Sequence, residues 1–319
     1  MTISLGLLGI VYPDGFVETS SYASTSRAIF GYGLTYSPVS MTNLISNLGA
    51  VSTDVTGVGT ARGRMTAASY GGDRAIFGYG SYGAVYSITN LVSNIGVVSS
   101  DVTGVGTARG APAAAGYGSD KAIFGFGDDG ATSTRYNMTN LVSNTGVVGT
   151  DVSGVGTARG ELAAATIGID KAIFGYGTPV NTTGGDVSLT NLVSNTGVVA
   201  TDTTGVGSAR RKLAATSYGG DKAIFGYGGN SQLSSSGTAV TNLVSNIGVV
   251  ATDTTGVGTT RTDPGAAMYG GDKGIFIYGI STGSSFISAR NLVSNIGVVV
   301  TDEFCTGTAR RPAGAGFGA

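Results

Sequence analysis

The groups able to do chemistry in this chain are few, and histidine is not among them: 319 residues carry 19 carboxylates, 18 lysines and arginines, one cysteine and no histidine. Without an imidazole there is no Ser-His-Asp triad, no Cys-His pair and no histidine-ligated zinc or copper. Cys305 has no histidine to take its proton and no second cysteine to pair with, so it reads as a small residue beside Phe304 rather than a nucleophile. What remains is acid–base work by paired carboxylates, the chemistry of glycosidases.

The distribution of the acids argues against it. Eleven recur at fixed places: Asp54, Asp101, Asp151, Asp202, Asp253 and Asp302 in one set, Asp73, Asp120, Asp170, Asp221 and Asp272 in another. A group copied along the chain is a poor model for a unique acid–base pair. The other eight (Asp14, Glu18, Asp128, Asp129, Glu161, Asp186, Asp263 and Glu303) have no motif around them. Asp128-Asp-Gly130 lacks the ligand ladder of a calcium loop and reads as a turn. The glycine strings close on no Gly-Lys-Ser/Thr, so they are not a phosphate-binding loop. Asn137-Met-Thr139 and Asn181-Thr-Thr183 are glycosylation sequons only in a secreted chain. No catalytic residue, metal or cofactor is expected, and the chain is read as non-enzymatic.

The recurring charges are placed by a block that returns six times. Its Ala-Ile-Phe element starts at Ala28, Ala75, Ala122, Ala172 and Ala223, with Gly274 in the sixth copy, at steps of 47, 47, 50, 51 and 51. A Ser-Asn-x-Gly element follows at Asn47, Asn94, Asn144, Asn195, Asn246 and Asn295, then an arginine at Arg62, Arg109, Arg159, Arg210, Arg261 and Arg310. Repetition at this period means an array of one supersecondary unit. With 56 glycines at fixed places and 12% charged residues, the unit suits short strands and tight turns. A net charge of -1 offers no basic field for nucleic acid.

Each block resolves into four apolar runs. In the third, Ala113–Tyr117 is the first strand, Lys121–Phe126 the second, Met138–Val142 the third and Val147–Asp151 the start of a fourth. Alternation along the second strand is expected to put Ala75, Phe77 and Tyr79 on one face and Ile76, Gly78 and Gly80 on the other, so that aromatics of one sheet fill the glycine hollow of its neighbour. The predicted fold is all-β: a six-bladed β-propeller of four-stranded antiparallel blades, with residues 312–319 completing the first blade and closing the ring. Residues 16–23 are the other candidate for that slot. Residues 1–20 read as an N-terminal apolar extension or anchor, and 21–319 as one propeller domain. No basic residue precedes Arg27, and the first apolar run is too short to cross a bilayer, so neither signal peptide nor membrane insertion is expected.

The order of arginine, Ala-Ala, a strand ending in Gly-x-Gly, a third strand, a turn and a fourth strand resembles the kelch repeat over nearly the whole chain. Where kelch blades carry Gly-Gly, Tyr-Asp and Trp, this chain has Gly-Tyr-Gly, Ser-Asn and Val. The copper chemistry of some kelch-like propellers is excluded with histidine. Close-copy blocks of this wording also resemble repeat proteins of marine and cyanobacterial phage particles, which implies a virion location.

Two features could carry binding. The six arginines form either a basic ring round one channel mouth or a clamp between blades, each paired with a fourth-strand aspartate or with backbone carbonyls; the clamp is favoured, since every block supplies an acid. The loops 34–40, 81–87, 128–137, 178–188, 229–239 and 280–289 vary while the strands do not, and they share the arginine rim. Their aromatics Tyr36, Tyr82, Tyr86, Tyr136 and Phe286 are candidate contact residues. The expected role is a structural or adhesion propeller, a phage capsid or tail appendage, whose partners are other virion proteins or a host-surface glycan or receptor. The alternative is a lectin with repeated sites between blades.

Overall fold

The computed structural model describes residues 26–130, 134–179, 185–230 and 237–318. It also describes, as backbone, three short strands at Ser4–Gly6, Gly9–Val11 and Val17–Glu18 that pair with one another. The described chain is all-β and repeats one three-stranded antiparallel sheet. In sheet 3, Ala113–Tyr117 pairs with Lys121–Gly125, which pairs with Thr139–Val142. Inner, middle and outer strands recur as Thr66–Tyr70, Arg74–Gly78 and Thr89–Val92 in sheet 2, and as Ala163–Ile167, Lys171–Gly175 and Thr190–Val193 in sheet 4. Sheet 5 has Ala214–Tyr218, Lys222–Gly226 and Thr241–Val244; sheet 6 has Gly265–Tyr269, Lys273–Ile277 and Ala289–Val293. Sheet 1 joins distant parts of the chain, because Arg311–Phe317 pairs with Arg27–Leu34 and that strand with Thr42–Ile45.

Each inner hairpin turns through two left-handed residues, the geometry that matches strand twist. Gly71-Gly72 supplies them in sheet 2, whereas in sheet 4 the second is Ile169, held at φ 73°, where a β-branched residue is strained. At these turns the sheets are laced to one another. Gly71 N donates to Asp120 O, Gly118 N to Asp170 O, Gly168 N to Asp221 O, Gly219 N to Asp272 O, Gly270 N to Ser26 O and Gly318 N to Asp73 O, which returns to sheet 2. Neighbouring inner strands touch in the same order, and together they line a central cavity of about 400 Å³.

The expected fourth strand differs. Among the described residues only sheet 6 has one, Glu303–Phe304 beside Ala289–Val293. In sheet 3 the segment beyond the outer hairpin makes two isolated bridges, Val142 with Val148 and Thr139 with Val152. Between them two residues face three, and the extra one interrupts the ladder. The Asn140 side chain takes over there, donating from Nδ2 to Gly149 O at 3.0 Å and to Asp151 Oδ1 at 2.9 Å. Buried backbone groups need partners, and an amide in this place supplies one where a continuous strand would not.

Packing between sheets follows the glycine hollows, with one correction. A Cβ on Gly31, Gly78, Gly125, Gly175 or Gly226 would lie 2.6–2.8 Å from the Cζ of Phe77, Phe124, Phe174, Phe225 or Phe276 of the next sheet. The tyrosine after each glycine is not on the phenylalanine's side as alternation suggests. Tyr79 takes φ 60°, which reverses its side chain onto the Ile76 face, where its ring meets Phe124 at 5.1 Å. Tyr32, Phe126, Tyr176 and Tyr227 repeat this conformation and contact. The joint between sheets 6 and 1 is built otherwise: Ile277 stands in the glycine place, and Phe30 lies against Gly265 and Gly314, where the other sheets have alanine or threonine.

Candidate functional site

The arginine that ends each block is carried between two sheets, and its surroundings are the most nearly identical part of the molecule. Arg62 is fully buried. Its Nε donates to Tyr79 O at 2.7 Å, Nη1 to Thr60 O at 3.0 Å and Nη2 to Asn90 Oδ1 at 2.9 Å, while the guanidinium lies 4.8 Å from the centre of the Tyr32 ring of the preceding sheet. Asn90 in turn donates to Asp101, which fixes its amide so that the oxygen faces the arginine. Asp101 also accepts from the backbone N and hydroxyl of Thr60. The asparagine contact recurs at Arg109, Arg159, Arg210, Arg261 and Arg310, where each Nη2 reaches Asn140, Asn191, Asn242, Asn291 or Asn43 at 2.6–2.7 Å. The Nε bond to a carbonyl recurs at Arg159, Arg210 and Arg310, whereas the Nε atoms of Arg109 and Arg261 are buried without a hydrogen-bond partner.

These side chains join sheets and do not open onto a channel mouth. The aspartates stand 3.7–4.0 Å from the guanidinia, so the strong direct bonds are to carbonyl and amide oxygens. Burial pulls every one of the six arginines below its usual pKa; Arg159, whose neighbouring ring is Phe126 instead of a tyrosine, falls to about 10 and is still charged at neutral pH. The six aspartates feel partial burial, which raises the carboxyl. Hydrogen bonds from Thr or Ser and from Asn, with the arginine field, outweigh it and hold them below the ordinary value. Burial likewise pushes Tyr32 and Tyr227 up to about 12.

The variable loops spring from this rim. Gly63 bridges Ser81, Gly110 bridges Asp128, Gly160 bridges Thr178 and Arg211 bridges Gly229, so each loop root pairs with the residue just after a clamp arginine. The loop aromatics are not gathered into one site. Tyr36 is 91% exposed and packs edge-on against half-buried Phe286, with 5.5 Å between ring centres, across the joint of sheets 1 and 6. Tyr82 is half exposed in the sheet 2 loop. Tyr86 and Tyr136 are partly buried, with their carbonyls accepting from Arg109 N and Arg159 N.

On sheets 2 to 5 the structure assembles charges that have no motif in the sequence. Asp128 is buried between Arg64 and Arg135, with Nη to Oδ2 distances of 2.5 and 2.6 Å, and its Oδ1 accepts from Gly130 N at 3.0 Å as an Asx turn. Arg64 also approaches Glu161 at 3.8 Å, and Glu161 faces Arg211 and Lys212, with Asp186 on the far side of Arg211. Sequence reasoning missed Arg64, Arg135, Arg211 and Lys212; the only signal was that they match neither the six clamp arginines nor the base that opens each middle strand, Arg27, Arg74, Lys121, Lys171, Lys222 and Lys273. Beneath them, Ala111 N donates to Arg64 O, Glu161 N to Ala111 O, Lys212 N to Glu161 O and Asp263 N to Lys212 O, a circumferential chain that ends at Pro312, which has no N–H.

The remaining candidates for chemistry are spoken for. Cys305 donates its thiol to Ser288 O, and burial pushes its pKa up to about 11. Asn137 Nδ2 donates to Gly156 O, while Asn181 lies outside the described residues, as do the side chains of residues 1–20. The cavity wall is mostly alanine, glycine and hydroxyl residues, with larger apolar side chains such as Met65, Leu162, Leu213 and Met268 among them, and among the described residues its titratable groups are Lys121, Tyr70 and Tyr117. Among the described residues no group of three or more His, Cys, Asp or Glu is placed to hold a metal, and no helix is long and apolar enough to cross a membrane. No family model matches the chain, and no curated protein matches it.

Proposed function

We propose that this chain is a six-bladed β-propeller of the kelch-like layout, with the bulged segment as each blade's fourth strand, and that it works as a non-enzymatic scaffold for adhesion or assembly. The observation that carries the reading is the contrast along one rim. Six clamp sites repeat one buried arginine–asparagine bond at 2.6–2.9 Å, while the loops rooted beside them differ in length, charge and aromatic content. A scaffold held constant beneath varied loops is the arrangement of a binding protein. A non-catalytic role is supported by the acids outside the repeat, since Asp128, Glu161, Asp186, Asp263 and Glu303 each face an arginine or lysine.

The setting we propose is a phage virion, as a capsid or tail appendage, with another virion protein or a host-surface glycan or receptor as partner. Mass-spectrometric identification with copy number on gradient-purified particles tests the setting: stoichiometric recovery supports it, and recovery only as free protein sinks it. The lectin alternative gains support from Tyr36, an exposed aromatic flanked by the hydroxyls of Thr35 and Ser37 and seated on Phe286. A glycan array read with the intact chain and with Tyr36→Ala tests it; it fails if no glycan is retained or if the variant retains the same set.

A further inference from the structure

Opposite the loop rim, the molecule presents a face whose apolar residues folding does not require. The outer hairpins of sheets 1, 2, 5 and 6 carry Leu48, Ile95, Ile247 and Ile296 at their tips, and Val97, Val147, Val198, Val249 and Val298 follow the turn glycines; all are 55–83% exposed. The turn itself is made by other groups. Ser93 Oγ accepts from Ile95 N and Val97 N, Gly96 N donates to Ser93 O, and Gly96 takes φ 84°. The tip side chain adds nothing to this, as sheets 3 and 4 demonstrate by forming the same turn with Thr145 and Thr196. Exposed apolar side chains that local structure does not need mark a contact surface.

Inside this apolar arc lie the inner hairpin turns, each with an acid beside a base: Asp73 with Arg74, Asp120 with Lys121, Asp170 with Lys171, Asp221 with Lys222 and Asp272 with Lys273. Asn246 Nδ2, on an outer hairpin, donates to Asp221 Oδ2, so turns and tips share one face. The charges of the five turns sum to zero and alternate in sign, and Arg27, at the same place in sheet 1, adds a single positive charge, too little to attract a polyanion or an anionic membrane strongly. They are complementary to themselves: under a two-fold axis an acid of one copy meets a base of the other, and apolar tips meet apolar tips. Six tips and five turns, at about two residues each, amount to about 22 residues, the size of one side of a standard interface.

We infer that this face is a self-association surface, and that its occupant is a second copy of the chain docked face to face. The test is sedimentation velocity on the full chain from about 1 to 100 μM, beside a variant carrying Leu48→Thr, Ile95→Thr, Ile247→Thr and Ile296→Thr, the residue sheets 3 and 4 already use. The expected result is a wild-type dimer whose dissociation constant rises at least tenfold in the variant, with an unchanged circular dichroism spectrum and melting temperature. The inference is overturned if the wild type is monomeric throughout, or if the variant dimerises as tightly. Flotation with neutral phosphatidylcholine vesicles closes the other route: wild type that floats as a monomer, with a variant that does not, assigns the face to lipid instead.

Discussion

Replacing Arg159 by methionine should cost the protein about 3–5 kcal/mol, the range for removing one partner from a buried ionic cluster. In the native state its three hydrogen bonds, to Tyr176 O at 2.8 Å, Thr157 O at 3.0 Å and Asn191 Oδ1 at 2.6 Å, involve a charged donor. At about 1.5–3 kcal/mol each they contribute roughly 5–9 kcal/mol. Against this stands burial, which draws the guanidinium down from its usual pKa to about 10 and costs the charged form about 3 kcal/mol. Methionine recovers that penalty and fills much of the volume, but leaves three oxygens without their donor and Asp202 without its cation. Urea unfolding is the assay, with a lower midpoint at unchanged slope. Lysine should not rescue, because an ammonium cannot reach three divergent acceptors from one planar fork. A loss below about 1 kcal/mol, the level of a surface substitution, would refute the clamp as the element that joins sheets.

Gly125→Ala would set a methyl about 2.8 Å from Phe174 Cζ, and overpacking of this kind should lower stability by about 1–3 kcal/mol in the same assay. Phe126→Tyr should raise it by about 0.5–1.5 kcal/mol, since the equivalent hydroxyls of Tyr32, Tyr79, Tyr176 and Tyr227 each donate to a valine carbonyl of the following linker; no gain, or a loss, would count against that bond. Acid should unfold the protein in a defined window. The six joint aspartates have folded pKa values below the unfolded value near 3.9, so the unfolded chain binds more protons as the pH falls. Their stabilisation is complete above that value and is lost below it, so the urea midpoint should be level from pH 7 to about 5 and fall steeply under pH 4; a midpoint still level at pH 3 would contradict the assignment.

Much of the architecture is written locally, because a fifty-residue unit repeated six times exposes its own rules. The strand Ala113–Tyr117 falls where the sequence places it, and the outer strand starts one residue later than expected, at Thr139. The phenylalanine-on-glycine contact is also legible, since period-two alternation puts bulk on one face and a hollow on the other. The fourth strand is not: nothing in Val147–Asp151 announces the extra residue that turns a ladder into two bridges and hands the backbone's hydrogen bonds to Asn140. Nor is the face of Tyr79, because a single positive φ reverses a side chain without any change in residue pattern.

For the site, sequence alone determined that each block brings an arginine and an aspartate, and that histidine-dependent chemistry is absent. It left open what the arginine touches. Only the tertiary structure decided that the guanidinium sits under a ring from the sheet before, bonded to the carbonyl and amide oxygens of the sheet after, because those partners are far off along the chain, 32 residues for Arg159 and Asn191 and 267 for Arg310 and Asn43, and meet only when sheets pack. The cluster of Asp128, Arg64, Arg135, Glu161 and Arg211 is tertiary for the same reason, its members coming from four separate linkers and loops. The joint of sheets 6 and 1 is tertiary too. Ile277 and Gly265 in the sixth block and Gly314 beyond it look like unrelated copying errors until Phe30 is seen against the two glycines, and only packing makes such compensation visible.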